Sequence, residues 1–150
     1  MPLHFEKHAA KGNEFVNRLA ARLGDPENRD RAGRVLRSVL HALRNRLTLQ
    51  ESFQLIAQLP MVIKALYIEG WQPTRHHEKL KTMTEFCEAV MRDDGSSAWR
   101  DFSGESDAIE ATEAVIKTIA DYVSAGELHD IVAVLPEDMK EQFMLWSHTP

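Results

Sequence analysis

Residues 48–60 read Thr48-Leu49-Gln50-Glu51-Ser52-Phe53-Gln54-Leu55-Ile56-Ala57-Gln58-Leu59-Pro60, and residues 124–136 read Ser124-Ala125-Gly126-Glu127-Leu128-His129-Asp130-Ile131-Val132-Ala133-Val134-Leu135-Pro136. Each stretch opens on a hydroxyl residue with a glutamate three places on. That is capping-box spacing: the hydroxyl accepts from the N–H three residues ahead, and the glutamate reaches back. Each closes on Leu-Pro. Proline lacks an N–H and disfavours helix in the residue before it, yet suits the first position of a new helix. Each stretch therefore predicts a short helix that ends where another begins.

Working outward, a shift of 76 positions aligns residues 32–67 with 108–143 without a gap. Identical pairs include Ala32/Ala108, Val39/Val115, Ala57/Ala133, Leu59/Leu135 and Lys64/Lys140, and Leu43/Ile119, Leu47/Val123 and Tyr67/Phe143 match in type. At a shift of 71, Glu14-Phe15 meets Glu85-Phe86 and Gly24 meets Gly95. The pattern predicts two tandem copies of a four-helix unit, residues 1–72 and 73–150, with about five extra residues in the second copy. Together they form a single domain of two lobes, an all-α bundle of about eight helices.

Periodicity agrees. Ala32, Val35, Leu36, Val39, Leu40, Leu43 and Leu47 recur at three- and four-residue steps, one face of a helix, and Ala108, Ala111, Val115, Ile116, Ile119 and Val123 repeat that stripe. The expected helices lie near 4–23, 26–46, 49–58, 60–69, 75–92, 106–123, 125–134 and 136–146. Asp25-Pro26 or Asp30 opens the second, and Gly70 stops the fourth. Val123 and Leu128 have staple spacing, and Glu137 and Asp138 suit a positive helix N-terminus. Residues 24–28, 70–74 and 93–105 read as loops, with Asp93-Asp94-Gly95-Ser96-Ser97 in the most mobile stretch. No segment alternates with period two, so no sheet is expected.

Composition narrows the class of protein. Hydrophobic residues make up 43% and charged residues 27%, ordinary for a globular domain. The N-terminus lacks the apolar run of a secretory signal, and the apolar segment 59–68 contains Pro60 and Lys64 and is too short to span a bilayer. A single cysteine, Cys87, excludes an internal disulfide and sits among glutamates, which disfavours a thiolate nucleophile. A soluble, cytoplasmic protein is the simplest reading. The net charge of −5 is unevenly spread: residues 1–50 hold 10 Lys/Arg and 5 Asp/Glu, and residues 51–150 hold 8 and 18. Such asymmetry points to partners, including a second copy of the chain.

The run from Arg31 to Trp71, with its Arg-rich helix, Arg46-Leu47-Thr48 before Glu51, Ala57-Gln58-Leu59-Pro60 and Tyr67-Ile68-Glu69-Gly70-Trp71, resembles a bacterial family known as domain of unknown function 2267. The resemblance extends over roughly residues 10–146. The second copy departs from it, ending in Leu145-Trp146 in place of Glu-Gly-Trp. The resemblance implies an all-helical cytoplasmic protein of prokaryotes and brings no activity or site residues.

Candidate chemistry is sparse. His4 and His8 share a helical face and His76-His77-Glu78 follow a proline, but neither HExxH nor paired Cys/His spacing is present, so no metal and no other cofactor are expected. The aromatics Tyr67, Trp71, Phe143 and Trp146, with Trp99, either line a pocket between the lobes or pack a core. Arg34, Arg37, His41 and Arg44 fall opposite the apolar stripe and read as a solvated basic face. The acidic total and the lack of a nucleic-acid-binding motif argue against DNA or RNA. At the 76-residue shift, Arg31, Arg34 and Arg37 become Asp107, Glu110 and Glu113, so the two copies carry inverted charges at equivalent positions.

These readings favour a non-enzymatic interaction or scaffolding protein that self-associates or binds another protein through helix faces. A small-ligand or lipid-like binding module using an interlobe cleft is the alternative. An enzyme ranks third, since no nucleophile, base or metal site stands out.

Overall fold

The computed structural model describes residues 2–73 and 79–149. It contains α1 (Phe5–Arg22), α2 (Arg29–Arg46), α3 (Leu49–Gln58), α4 (Met61–Ile68), α5 (Met83–Asp94), α6 (Ala98–Asp101), α7 (Glu105–Ala120), α8 (Ala125–Ala133) and α9 (Glu137–Ser147). A 3-10 turn, Gly95–Ser97, joins α5 to α6. No strand occurs among the described residues, and none of their helices is long and apolar enough to cross a membrane.

Local signals explain most boundaries. Thr48 Oγ1 accepts from the Glu51 N–H at 3.2 Å while Glu51 Oε1 accepts from the Thr48 N–H at 2.8 Å, a complete capping box. At the second site Ser124 Oγ accepts from the Glu127 N–H at 3.3 Å, and only this half of the box forms. Pro60 (φ −57°, ψ 151°) and Pro136 (φ −56°, ψ 150°) stand at the same position, just before α4 and α9. Gly70 takes φ +68° just after α4, a left-handed turn that a side chain would strain.

Three boundaries differ from the expectation. Helix α2 opens on neither Asp25-Pro26 nor Asp30: Asn28 caps it by accepting from the Arg31 N–H at 3.1 Å. The fifth helix, expected from residue 75, begins at Met83, where Thr82 Oγ1 accepts from the Glu85 N–H at 3.1 Å. Thr82-Met83-Thr84-Glu85 has the same hydroxyl-to-glutamate spacing as the other two caps, so this start was readable. His76-His77-Glu78 and the expected helix start lie outside the described residues. Finally, residues 93–105 are not one open loop. Asp93 and Asp94 finish α5, Gly95 turns at φ +61°, and α6 follows.

The core explains the arrangement. Ala32, Val35, Leu36, Val39 and Leu40 of α2 are fully buried, because α2 packs against α1, α4, α5 and α7. Helix α7, with Ala108 and Val115 fully buried, packs against α1, α2, α5 and α9, and α3 meets α8. The buried residues form one cluster drawn from both halves of the chain. Helix α1 approaches α4 closely at Gly12, where a Cβ would stand 3.0 Å from Val62 Cβ.

Candidate functional site

The arginines of α2 have different fates from those expected of a solvated face. Arg34 donates through Nε and Nη2 to both carboxylate oxygens of Asp101, at 2.8 and 2.9 Å, and the Asp101 side chain is 0% exposed. Arg31 donates to the Asp101 backbone carbonyl at 2.9 and 3.2 Å and lies 3.7 Å from Asp107. Arg37 pairs with Glu69 on the exposed end of α4. Arg44 donates to the carbonyls of Tyr67 and Glu69, both at 2.7 Å, satisfying acceptors that the end of α4 leaves open. His41 is buried, with one ring nitrogen 3.1 Å from the Leu66 carbonyl and the other 3.2 Å from Asp93. The solvated-face expectation is thus corrected. The side of α2 opposite its apolar stripe is only partly solvated: the end of α4, the end of α5 and α6 supply acceptors for its basic groups, while Arg37 stays exposed.

The acidic counterparts on α7 divide as well. Asp107 meets Arg31 and accepts from the Ser103 N–H at 3.1 Å. Glu113 pairs with Lys117 at 2.8 Å. Glu110 is exposed and makes no ion pair among the described residues. Of the three inverted positions, one opposite-charge pair therefore meets within the chain.

Two surface grooves flank α1. One, of about 530 Å³, is lined by Val16 of α1, Leu66 of α4, and Arg29, Asp30, Gly33, Arg34 and Arg37 of α2. Gly33 has no atom within 4 Å of where a Cβ would stand, so its missing side chain leaves this wall of the groove open. The other, of about 340 Å³, is lined by Arg22, Glu110, Glu113, Ala114 and Lys117. Arg22 is tied to Asp121 at 2.7 Å and Lys117 to Glu113, which leaves Glu110 as the unbalanced charge there. In the first groove Arg29 donates to a neutral partner, the Asn13 side-chain carbonyl, at 2.8 Å and makes no ion pair among the described residues.

The aromatic candidates form two packed clusters. Tyr67, Phe143 and Trp146 are 0%, 1% and 3% exposed. The Tyr67 hydroxyl lies 2.6 Å from Ser52 Oγ, and its ring meets half-buried Trp71 edge-on at 5.7 Å. Burial pushes the Tyr67 phenol well above its ordinary pKa. Phe143 lies between Phe86, met edge-on at a centroid distance of 5.5 Å, and Trp146, met at a tilt at 5.3 Å. The void that Phe143 borders, with Leu43, Leu55, Ile119 and Leu135, holds about 10 Å³, room for one water at most. Trp99 stands 81% exposed on α6, away from both clusters. Cys87 is buried, and burial followed by the Glu105 charge pushes its thiol up to about 12. No group of three His, Cys, Asp or Glu among the described residues is placed to hold a metal.

Sequence reading missed the seam between α1 and α7. Arg22 donates to Thr118 Oγ1 at 3.0 Å and to Asp121, and its hydrogen bond holds the Asp121 carboxyl below the usual range. Tyr122 donates to Glu14 at 2.6 Å and packs its ring 5.1 Å from Phe15. These partners are about a hundred positions apart, and no local spacing announces them.

No curated protein matches the chain. The model of the family described as an uncharacterized conserved protein, DUF2267, matches residues 12–142, most of the helical bundle just described, and the chain belongs to that family.

Proposed function

We propose that the protein is a non-enzymatic interaction module that associates with a second copy of itself, the α1–α2–α4 groove of one copy receiving the exposed acidic edge of α7 of the other. The observation that carries this reading is a match of single unpaired groups on two open surfaces, a basic Arg29 on one and an acidic Glu110 on the other. Among the described residues Arg29 lines one groove without an ion-pair partner, with Asp30 beside it on the same rim, and Glu110 lines the other without an ion-pair partner of its own. Val16, Leu66 and Val62, 39% exposed on the same face of α4 as Leu66, supply apolar contact beside the basic groups. Exposed ion pairs contribute only about 0–1 kcal/mol each, so the apolar floor provides affinity and the charges provide register. We further infer that the two halves are copies of one unit. The helix pairings support this: α1–α2 recurs as α5–α7, α2–α4 as α7–α9, and the crossing pair α2–α5 as α7–α1.

Sedimentation velocity over a range of protein and salt concentrations tests the association. Arg29→Glu or Glu110→Arg alone is expected to weaken it several-fold at low salt, and both together in one chain to restore it. Arg34 is unsuited to this test because its loss strands a buried carboxylate. A chain that sediments as a monomer at every concentration and salt level rules the reading out.

A further inference from the structure

The α2–α5–α6 junction holds two carboxyl groups against one guanidinium. Asp101 already accepts two hydrogen bonds from Arg34, and its side chain is fully buried. Asp94, in the last turn of α5, is close enough to Asp101 for the two carboxyl groups to interact, and its Oδ2 is buried with no hydrogen-bond partner among the described residues. A buried acceptor without a donor is costly, and two adjoining carboxylates repel. Asp94 also sits at the negative end of its helix, which opposes a charge there. One proton removes all three difficulties: a protonated Asp94 donates to Asp101, which keeps its charge for Arg34.

We propose that Asp94 and Asp101 share one proton, and that this proton latches residues 95–101 onto α2 and α5, making the docking of that segment sensitive to pH. The other charged or titratable groups facing the pair are Arg31, Arg34 and His41 from α2, Asp93 from α5 and Arg100 from α6, with Asp30 and Asp107 beyond the two arginines. Burial first, then the hydrogen bond and charge of Asp101, push the Asp94 carboxyl up to about 7. Arg34 keeps Asp101 below the usual range despite burial. The proton thus resides on Asp94 in acid and is lost near neutrality, leaving two anions to contend for Arg34. Because Arg34 also lines the groove of the proposed self-association, the latch would alter that surface, a consequence that rests on that reading. The latch itself does not.

Carboxyl carbon NMR on the full chain, titrated from about pH 4 to about pH 9, reads the proton directly. Asp94 is expected to titrate near 7. Amide exchange of residues 95–101, corrected for its intrinsic pH dependence, is expected to lose protection over the same interval. In Asp94→Asn that protection stays constant with pH. An Asp94 carboxyl that ionises in the ordinary range overturns the shared proton. Protection that does not change while Asp94 titrates overturns the latch. Both readouts are available on the unaltered protein, so they stand even where the variant fails to fold.

Discussion

Arg34 shows how one side chain can serve two surfaces. Its guanidinium is part-exposed in the groove, yet it is the charge partner of a fully buried aspartate. Removing it leaves Asp101 ionised and unmatched, so Arg34→Ala is expected to destabilise by about 3–5 kcal/mol in chemical denaturation. Arg34→Lys recovers only part of that, since an ammonium cannot reproduce the two parallel bonds. Tyr67→Phe breaks the buried bond to Ser52 and is expected to cost about 1 kcal/mol by the same measurement. Acid acts in the opposite direction on the carboxyls that arginines hold ionised. Arg22 holds Asp121 below its unfolded pKa, and Arg34 does the same for Asp101. Their stabilisation is complete above the unfolded aspartate range and is lost as pH falls through the folded values. Asp94, raised instead, stabilises the fold while protonated, and that contribution declines as pH climbs from the unfolded value toward about 7. The stability profile against pH is therefore expected to fall on both sides of a mildly acidic maximum, and Asp94→Asn to flatten the neutral side.

At the scale of the element, caps and prolines do the dividing. Thr48 and Ser124 occupy equivalent places, but only Thr48 has the returning bond from its glutamate. Thr48→Ala is expected to cost about 1 kcal/mol and Ser124→Ala less, as read from paired urea denaturation curves. The reciprocal bond, from the Thr48 backbone N–H to Glu51, is removed instead by Glu51→Ala, expected to cost more than Glu127→Ala; equal losses for the two glutamates would mean that this bond adds nothing. The close passage of α1 over α4 gives a second check. Gly12→Leu forces a side chain against Val62 and is expected to destabilise by about 1–3 kcal/mol. Helix α6, only four residues long, holds its place through Asp101 and the two arginines beneath it rather than through propensity.

For the whole molecule, what matters is that both halves share one core. Helix α2 lies under α5 and α7 of the second half, and α1 is stitched to α7 by Arg22, Asp121, Tyr122 and Glu14. Residues 1–72 alone would expose the faces of α2 that α5 and α7 cover. That fragment is expected to lack cooperative unfolding by circular dichroism, while the full chain unfolds in one transition. A fragment with a sharp transition of its own would show that each half is self-sufficient.

The sequence by itself determined most of the helices, because the signals that open and close them act within one turn; α6, held by tertiary bonds to Asp101, was not among them. A hydroxyl reaches an N–H three residues ahead, a proline disturbs its immediate neighbour, and an apolar stripe repeats every three or four positions. It also revealed the inverted charges at Arg31/Asp107, Arg34/Glu110 and Arg37/Glu113. Which of those charges meet was decided only by tertiary structure. Arg34 found Asp101, 67 positions away, and Arg37 found Glu69, because packing α5 and α4 across α2 brought α6, which follows α5, and the end of α4 to those arginines. An ion pair depends on distance in space, and chain spacing carries no record of that distance once the partners lie on different helices.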